Sequence, residues 1–158
     1  MFKSAANQFV ALALSGILFV VEDVTYNICD QRAHDFEIKR LNPKIKVFRR
    51  SLTQLVAAAT LGVNKELILD GNIIAVVYYR SGYGPSQYPT EAEWNVRLLI
   101  ERSKAIKCPS IQYHLAGTKK VQQVLTQPGV VEKFLNGAQI ASRVRKVYTD
   151  FGGICRAQ

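Results

Sequence analysis

Residues 73–88 have the sequence IIAVVYYRSGYGPSQY, and this stretch decides the fold. Its first half is a nearly continuous run of β-branched and aromatic residues, which is typical of a strand buried on both faces, as in a parallel sheet. At Arg80 the sequence becomes polar and rich in glycine. Ligands of open α/β sheets bind beyond the carboxyl ends of the strands. The stretch therefore predicts a core strand that holds Arg80 and Tyr83 at a binding edge.

Strand and helix patterns alternate on both sides of this stretch. The patterns predict strands at 17–21, 45–48, 67–69, 72–79 and 111–115, and helices at 2–14, 30–41, 51–61, 90–107, 119–125 and 138–151, with a short helix ending near 135. Asp70-Gly71 separates two apolar runs and indicates a two-residue hairpin. We expect an α/β fold, a Rossmann-like three-layer α/β/α sandwich with a mostly parallel sheet and one β-hairpin. The 158 residues contain no linker, which predicts a single domain over 1–158.

Capping signals mark several helix starts. Ser51 with Gln54, and Thr90 with Glu93, have capping-box spacing, and Thr118 precedes the helix 119–125. Asp30 is the predicted N-cap of the helix 30–41. One row of that helix consists of Ala33, Glu37 and Leu41, with Phe36 beside it. The helix that begins at Thr90 is predicted to bury one face, made of Ala92, Val96, Leu99, Ile100 and Ser103.

Composition and charge limit the function classes. A hydrophobic content of 48% with 21% charged residues indicates a globular chain and excludes a disordered one. The net charge of +9, from 21 Lys and Arg against 12 Asp and Glu, favours an anionic partner. A basic nucleic-acid-binding module is one alternative, although the basic runs lack interleaved aromatic residues. A solvated basic surface and a non-catalytic dimerisation fragment are the others.

The cysteines and histidines indicate neither a disulfide framework nor a metal site. Cys29, Cys108 and Cys155 are widely spaced, and no C-x-x-C occurs. His34 and His114 have no metal-type partners near them in sequence. Free thiols fit a reducing compartment, so we expect a cytoplasmic location with no membrane span. Cys29 is interpreted as a small buried thiol, because no histidine base lies near it in sequence.

Two polar stretches are candidate sites for an anionic ligand. NICDQ at 27–31 follows the first predicted strand at the mouth of a helix, where backbone amides favour anions, and Asn27 and Gln31 can donate amide hydrogen bonds. The alternative there is plain capping by Asp30. In the second stretch, Arg80 can hold a carboxylate through two parallel hydrogen bonds. The alternative is a surface loop in which Tyr83 is structural.

A third candidate is GTKK at 117–120. Lys119 and Lys120 lie in the first turn of a predicted helix and oppose its dipole, so a bound anion would relieve the repulsion. Solvated lysines on a surface helix are the alternative. The P-loop pattern G-x-x-x-x-G-K-[ST] is absent from the chain.

Several segments together resemble a known family. They are NICDQR at 27–32, IAVVYYRSGY at 74–83, RLLIERS at 97–103, KCPSI at 107–111 and LAGTKKVQQVL at 115–125, followed by PG at 128–129. In this order they resemble the substrate-binding domain of eukaryotic-type glutathione synthetase, from residue 27 to about residue 135. Two positions depart from the family pattern. Thr25 stands where a glutamate is usual, and Ser81 stands where an aspartate is common.

The resemblance implies an activity and a set of ligands. The family is an ATP-grasp ligase that joins γ-glutamylcysteine to glycine through an acyl phosphate, using ATP and Mg²⁺. The resemblance implies that Asn27, Gln31, Arg80 and Tyr83 contact γ-glutamylcysteine. It also implies that the complete enzyme is a homodimer and that its partners are the two substrates and ATP, not nucleic acid.

The family's ATP-binding parts have no counterpart in this sequence. Its glycine-rich loop, phosphate-binding lysines and magnesium-binding carboxylates are expected in other segments of such an enzyme. The chain therefore resembles the central portion of a synthetase whose remaining segments would be its partners. Alone, it is expected to contribute no catalytic residue, to hold neither ATP nor Mg²⁺ and to be inactive as a ligase.

Overall fold

The computed structural model describes residues 15–24 and 28–149 of the chain. These residues form two compact units, of which the first ends at Ser110 and the second begins at Ile111. A single domain over 1–158 therefore stays a prediction. The helix predicted at 2–14 lies outside the described residues.

The first unit is built on a mixed sheet. Its described strands are β1 (Gly16–Val20), β2 (Val47–Arg50), β3 (Ala59–Leu61), β4 (Leu67–Leu69), β5 (Asn72–Tyr79) and β6 (Ile106–Cys108). The order is β2-β1-β5-β4-β3, and β6 also pairs with β5. The β1–β2, β1–β5 and β5–β6 pairs are parallel, whereas β3–β4 and β4–β5 are antiparallel. The α/β class is confirmed, but the expected mostly parallel sheet is not, because the hairpin strands make the sheet mixed.

The helices follow the predicted pattern with two corrections. The first unit contains α1 (Ile28–Leu41), α2 (Leu52–Ala58), a 3₁₀ helix (Pro85–Gln87) and α3 (Glu91–Arg102), and the second contains α4 (Ile111–Ala116), α5 (Lys119–Leu125), a 3₁₀ helix (Val131–Lys133) and α6 (Ala138–Thr149). The strand predicted at 111–115 is wrong, since these residues form α4. Five residues are too few for the hydrophobic period to separate a strand from a helix.

The second correction concerns the ends of two predicted helices. α3 stops at Arg102, because the Ser103 hydroxyl donates to the carbonyl of Ile100 (2.6 Å) and accepts the N–H of Ala105 (3.3 Å). The next residues then form β6. The other helix is predicted to reach residue 61. It ends at Ala58, and the following three residues pair with β4 as β3.

The predicted hairpin and both capping boxes are confirmed. Asp70 and Gly71 have φ values of 48° and 73°, the positive pair that a type I′ turn requires. The Ser51 hydroxyl accepts the N–H of Gln54 at the start of α2. Thr90 and Glu93 exchange the equivalent bonds at the start of α3. These local signals lie within the same few residues that they organise, so the sequence shows them directly.

The core lies on one face of β1 and β5. Alternate residues of the two strands, Leu18, Val20, Val77 and Tyr79, are buried in one cluster with Leu52 and Leu55 of α2 and Val96 and Ile100 of α3. On the opposite face, Phe19 meets Tyr78 edge-on with ring centroids 5.3 Å apart, and His34 of α1 stacks on Tyr78 at 6.0 Å. No helix among the described residues is both long and apolar enough to cross a membrane.

Candidate functional site

The carboxyl ends of β1 and β5 lie side by side at one edge of the sheet. The strands are parallel neighbours, and Arg80 continues their ladder by donating its backbone N–H to the carbonyl of Val20 (2.9 Å). The connection that follows β1 leads to β2 on one side of β1, whereas β5 lies on the other side of β1. Open α/β sheets form a ligand crevice at such a point, where the strand order reverses. It brings the end of β5 close to the start of α1.

Arg80 is paired with an acidic residue at this edge. Its Nε and Nη2 lie 3.0 and 2.9 Å from Oδ2 of Asp30, and Oδ1 accepts the N–H of Gln31 (2.8 Å). Desolvation alone would raise the pKa of Asp30, but the hydrogen bonds from Arg80 and Gln31 outweigh it, so the pKa lies below its ordinary value of 3.8. α1 begins at Ile28. The prediction that Asp30 is the N-cap is therefore wrong, and its carboxylate orients Arg80 instead.

Gln31 lies on the inner side of α1. Its side chain is buried, and its Oε1 accepts a hydrogen bond of 2.5 Å from Nη2 of Arg49 on β2. Arg49 thus fixes the oxygen end of the amide and directs the nitrogen end away from β2. Asn27, the other predicted amide donor, and Thr25 lie outside the described residues, so the role of Asn27 stays a prediction.

Tyr83 lies four residues beyond the end of β5 and turns back toward the strand. Its ring is about half exposed, and its hydroxyl donates to the carbonyl of Tyr79 at 2.5 Å. Partial burial, reinforced by the nearby Tyr78, raises the pKa of the Tyr83 hydroxyl, so the phenol is neutral at physiological pH. The structure thus brings three of the four predicted substrate residues, Gln31, Arg80 and Tyr83, to the same edge of the first unit.

Gln87 organises the loop between Arg80 and the 3₁₀ helix. Its Oε1 accepts the backbone N–H groups of Gly82 (2.7 Å), Tyr83 (2.6 Å) and Gly84 (3.2 Å). Its Nε2 donates to Oε1 of Glu22 just after β1 (2.5 Å). The sequence patterns that point to Arg80 and Tyr83 do not point to Gln87. The local signal is its spacing, because a glutamine three residues after an N-cap residue can accept the N–H of that residue, here Gly84.

The buried Arg97 supports the loop through Tyr88. Tyr88 Oη donates to the carbonyl of Gly82 (2.9 Å), and Arg97 Nη1 donates to Tyr88 Oη (3.3 Å). The Arg97 guanidinium also lies 3.8 Å from the centre of the Tyr79 ring. Gly82 has a φ of +94°, and a Cβ there would lie 3.0 Å from Tyr88 Oη. The loop therefore needs glycine at this position for both its backbone conformation and its close contact with Tyr88.

A cavity of about 390 Å³ opens next to the loop, on its α2 side. Its lining includes Glu22, Asp23, Ser51, Thr53, Ser81 and Gln87. Gln31, Arg80 and Tyr83 are not among the lining residues. The predicted substrate residues therefore lie outside this cavity, although Gln87 contacts both regions.

The remaining predicted positions lie apart from this edge in sequence. Lys119 is exposed in the first turn of α5, and Lys120 Nζ donates to Gln123 Oε1 (3.1 Å) in the same short helix. An anion site at Lys119 and Lys120 stays a prediction. Cys29 and Cys108 are free and exposed, so the interpretation of Cys29 as a buried thiol is wrong, and Cys155 lies outside the described residues. Within 15–24 and 28–149, no three His, Cys, Asp or Glu side chains form a potential metal site.

Comparison with known proteins identifies the family. The family model of eukaryotic glutathione synthase matches residues 15–116, which include the sheet, the loop after β5 and α3. The chain belongs to the eukaryotic glutathione synthase family. Membership in this family does not support the alternative of a basic nucleic-acid-binding module.

Individual relatives agree with this assignment. The chloroplastic glutathione synthetase of Arabidopsis thaliana is 42% identical over 132 residues, which are 84% of this chain and 24% of that protein. Human glutathione synthetase is 43% identical over 138 residues, 87% of this chain and 28% of that protein. The Dictyostelium discoideum enzyme is 44% identical over 140 residues, with coverages of 85% and 29%. The chain thus spans about a quarter of the length of these relatives.

A solved structure has the same fold over most of the chain. It is a glutathione synthetase-like effector from Globodera pallida in its apo form. The match has a TM-score of 0.66 at 26% identity and covers 92% of this chain and 33% of that one.

Proposed function

We propose that this chain is the γ-glutamylcysteine-binding portion of glutathione synthase, the ATP-dependent ligase that joins γ-glutamylcysteine to glycine. The observation that best supports the proposal is the position of Arg80. Its guanidinium stands at the shared carboxyl edge of β1 and β5, held by Asp30 and close to the start of α1. An arginine in such a place is suited to a substrate that carries carboxylates.

Each side chain has a distinct part in the proposed binding. One carboxylate oxygen of Asp30 accepts hydrogen bonds from Nε and Nη2 of Arg80. The guanidinium is therefore oriented before the ligand binds, which lowers the entropic cost of binding. Nη1 makes no hydrogen bond within the described part of the chain and is the group that would meet a substrate carboxylate. Because the Tyr83 hydroxyl donates its proton to Tyr79, its oxygen would accept a hydrogen bond from the ligand.

ATP, Mg²⁺ and the catalytic step belong to the complete enzyme in this proposal, and within 15–24 and 28–149 no group of three His, Cys, Asp or Glu side chains could hold a metal ion. We infer that other segments of the family enzyme bind ATP, Mg²⁺ and glycine, and that this chain alone has no ligase activity. A cytoplasmic location, a homodimeric complete enzyme and a single domain over 1–158 belong to the same proposal.

The three-layer arrangement is also a proposal. His34 of α1 stacks on Tyr78, on the face of β5 opposite to the core that α2 and α3 cover. Helices on both faces of a sheet are what a Rossmann-like sandwich would have.

The test of the proposed function is Arg80→Ala, with γ-glutamylcysteine binding to the 158-residue chain measured by calorimetry. A hydrogen bond to a charged group contributes roughly 1.5–3 kcal/mol. We expect the Kd to rise about ten- to a hundredfold while the melting temperature stays nearly unchanged. Arg80→Lys should restore only part of the affinity, because a single ammonium nitrogen cannot replace the two guanidinium nitrogens that bind Asp30 and also the third that would meet the substrate.

Arg40→Ala is the matched control for this experiment. Arg40 is also a surface arginine paired with a carboxylate, that of Glu37, but it lies near the far end of α1. Its removal changes the net charge equally and should leave the Kd unchanged. Equal losses from both variants would mean that only net charge matters. No binding by the wild-type chain, or unfolding of Arg80→Ala, would overturn the assignment of Arg80 as a ligand residue.

A further inference from the structure

The side chain of Gln87 joins the two strand ends that form the proposed site. A side-chain amide has one acceptor end and one donor end, and Gln87 uses both. The acceptor end binds three successive N–H groups of the loop after β5, those of Gly82, Tyr83 and Gly84. The donor end reaches the carboxylate of Glu22, 65 positions away in sequence and two residues beyond β1.

Capping alone does not require the second of these bonds. Gln54 at the start of α2 occupies the same position of a capping box, and its Oε1 accepts the N–H of Ser51 (3.1 Å). Among the described contacts, the Nε2 of Gln54 donates to no carboxylate. Gln87 therefore differs from an ordinary capping glutamine by one long-range hydrogen bond to a charged group.

The loop that Gln87 holds is fixed from its other side as well. The carbonyl of Gly82 accepts from Tyr88 Oη, which in turn accepts from the buried Arg97. The N–H groups of the loop thus bind Gln87, and one of its carbonyls binds Tyr88. Of these two supports, only Gln87 also contacts the end of β1. That end leads directly to residues 25–27 and then to α1, which carries Asp30 and Gln31.

We propose that Gln87 is a positioning residue that couples the loop of residues 81–84 to the end of β1 through Glu22, and that this coupling sets the affinity for γ-glutamylcysteine. The inference rests on the proposed function, since Tyr83 belongs to that loop and Arg80 directly precedes it. Gln87 itself does not touch the reacting atoms in this scheme. It holds the two sides of the site at a fixed separation.

Gln87→Glu separates coupling from capping, because the two roles predict different values of the Kd for γ-glutamylcysteine. A glutamate keeps an acceptor for the three N–H groups, and glutamate is as good as glutamine at this capping position. It replaces the donor to Glu22 by a second carboxylate, however, and like charges at hydrogen-bond distance repel. Coupling therefore predicts a rise of about tenfold in the Kd for γ-glutamylcysteine. Capping alone predicts no rise.

The second variant exchanges the two chemical roles. In Glu22→Gln combined with Gln87→Glu, the amide at position 22 can donate to the carboxylate at position 87, so the bond is restored in the reverse direction. We expect the double variant to recover most of the wild-type affinity. Gln54→Glu is the matched control, and it should change neither the Kd nor the melting temperature. An unchanged Kd in Gln87→Glu, or a double variant no better than the single one, would overturn the coupling.

Amide hydrogen exchange provides a measurement that does not depend on the ligand. In Gln87→Leu, the N–H groups of Gly82, Tyr83 and Gly84 lose their acceptor, and we expect their exchange to become at least about tenfold faster. Gln87→Glu should keep part of this protection, and the double variant should restore it. If the wild-type chain binds no γ-glutamylcysteine, the proposed function fails, and the exchange rates still test the coupling. Exchange that is equal in all four proteins would overturn it.

Discussion

α1 and α3 are helices of similar length, and the side chains that they bury differ in chemistry. α3 buries Val96 and Ile100 in the main core, and it also buries the charged side chains of Glu93 and Arg97. The buried residues of α1 are the polar Gln31 and Asp35, while Phe36 and Leu41 are 58% and 68% exposed. α3 thus stabilises the fold partly through hydrophobic burial. α1 places polar groups at the edge where the substrate is proposed to bind.

The polar side chains that α1 buries have partners. Gln31 Oε1 accepts a hydrogen bond from Arg49, and the carboxylate of Asp35 lies 3.0 Å from both Arg32 and Lys39. These ion pairs offset part of the cost of burying the Asp35 carboxylate, whose Oδ1 accepts no hydrogen bond within the described residues. The exposed Phe36 is partly shielded, because the Arg32 guanidinium lies 4.9 Å from the centre of its ring. A helix beside a binding site can therefore direct polar side chains toward the protein interior.

The largest expected effect concerns the core side of this comparison. Ile100 on α3 is fully buried, and Ile100→Ala should lower the free energy of unfolding by about 2–5 kcal/mol, because it removes apolar contacts and leaves a cavity. Phe36→Ala removes a larger side chain from α1, but one that is mostly in water. We expect a loss of about 1 kcal/mol or less there, mainly from the contact with Arg32. Denaturant unfolding of both variants measures the difference.

Equal losses from Ile100→Ala and Phe36→Ala would contradict the comparison. They would mean that the outer face of α1 is covered by another part of the chain and stabilises the protein as a core face does.

A smaller effect is expected on the polar side of α1. Asp35 is only 2% exposed, and Asp35→Ala removes a carboxylate that holds Arg32 and Lys39 against the helix. We expect a loss of about 1.5–3 kcal/mol in the free energy of unfolding, the range for a hydrogen bond to a charged group. Glu37→Ala is the control in the same helix, since the ion pair of Glu37 with Arg40 is exposed and should contribute about 0–1 kcal/mol.

A loss in the free energy of unfolding for Asp35→Ala that is no larger than that for Glu37→Ala would contradict this prediction. Burial of the carboxylate would then add nothing, and α1 would be an ordinary surface helix.

The contrast between these helices also explains what the sequence could predict. α3 has an apolar face at helical spacing, and the predicted Val96 and Ile100 are indeed buried, with Ala92 and Leu99 half-buried. In α1 the row of Ala33, Glu37 and Leu41 is exposed. Hydrophobic periodicity finds the inner face of a helix only where burial of apolar surface decides the orientation. Beside a polar site, pairing of specific side chains decides it, and the partners of Gln31 and Asp30 come from distant segments.

The same limit applies to the candidate site. Arg80 and Tyr83 could be singled out because they follow a long apolar strand, and that pattern is local. The pairing of Arg80 with Asp30 joins residues that are 50 positions apart, and the bond from Gln87 to Glu22 spans 65. Neither contact leaves a mark in the spacing of the sequence. The sequence does not predict β3 for a similar reason. This segment of three residues is a strand because it pairs with β4, and that pairing adds an antiparallel neighbour to the sheet.

The smallest expected effect is a pH dependence of the link between α1 and the loop. The Arg80 pair keeps the pKa of Asp30 below its ordinary value of 3.8 in the folded protein. A carboxyl group with a depressed folded pKa contributes stability above its unfolded pKa and loses it as the pH falls through the folded value. The free energy of unfolding of the wild-type chain should therefore exceed that of Asp30→Asn by a constant amount above about pH 5. The difference should shrink below pH 3.8.

The measurement is denaturant unfolding of both proteins between about pH 2 and pH 6, where the lowered pKa of Asp30 places the change. If the Asp30→Asn difference is flat from pH 2 to pH 6, the ion pair does not hold in solution. Arg80 would then be positioned by its place at the end of β5 alone, and only Gln31 and Asp35 of α1 would remain as its inward polar groups with partners.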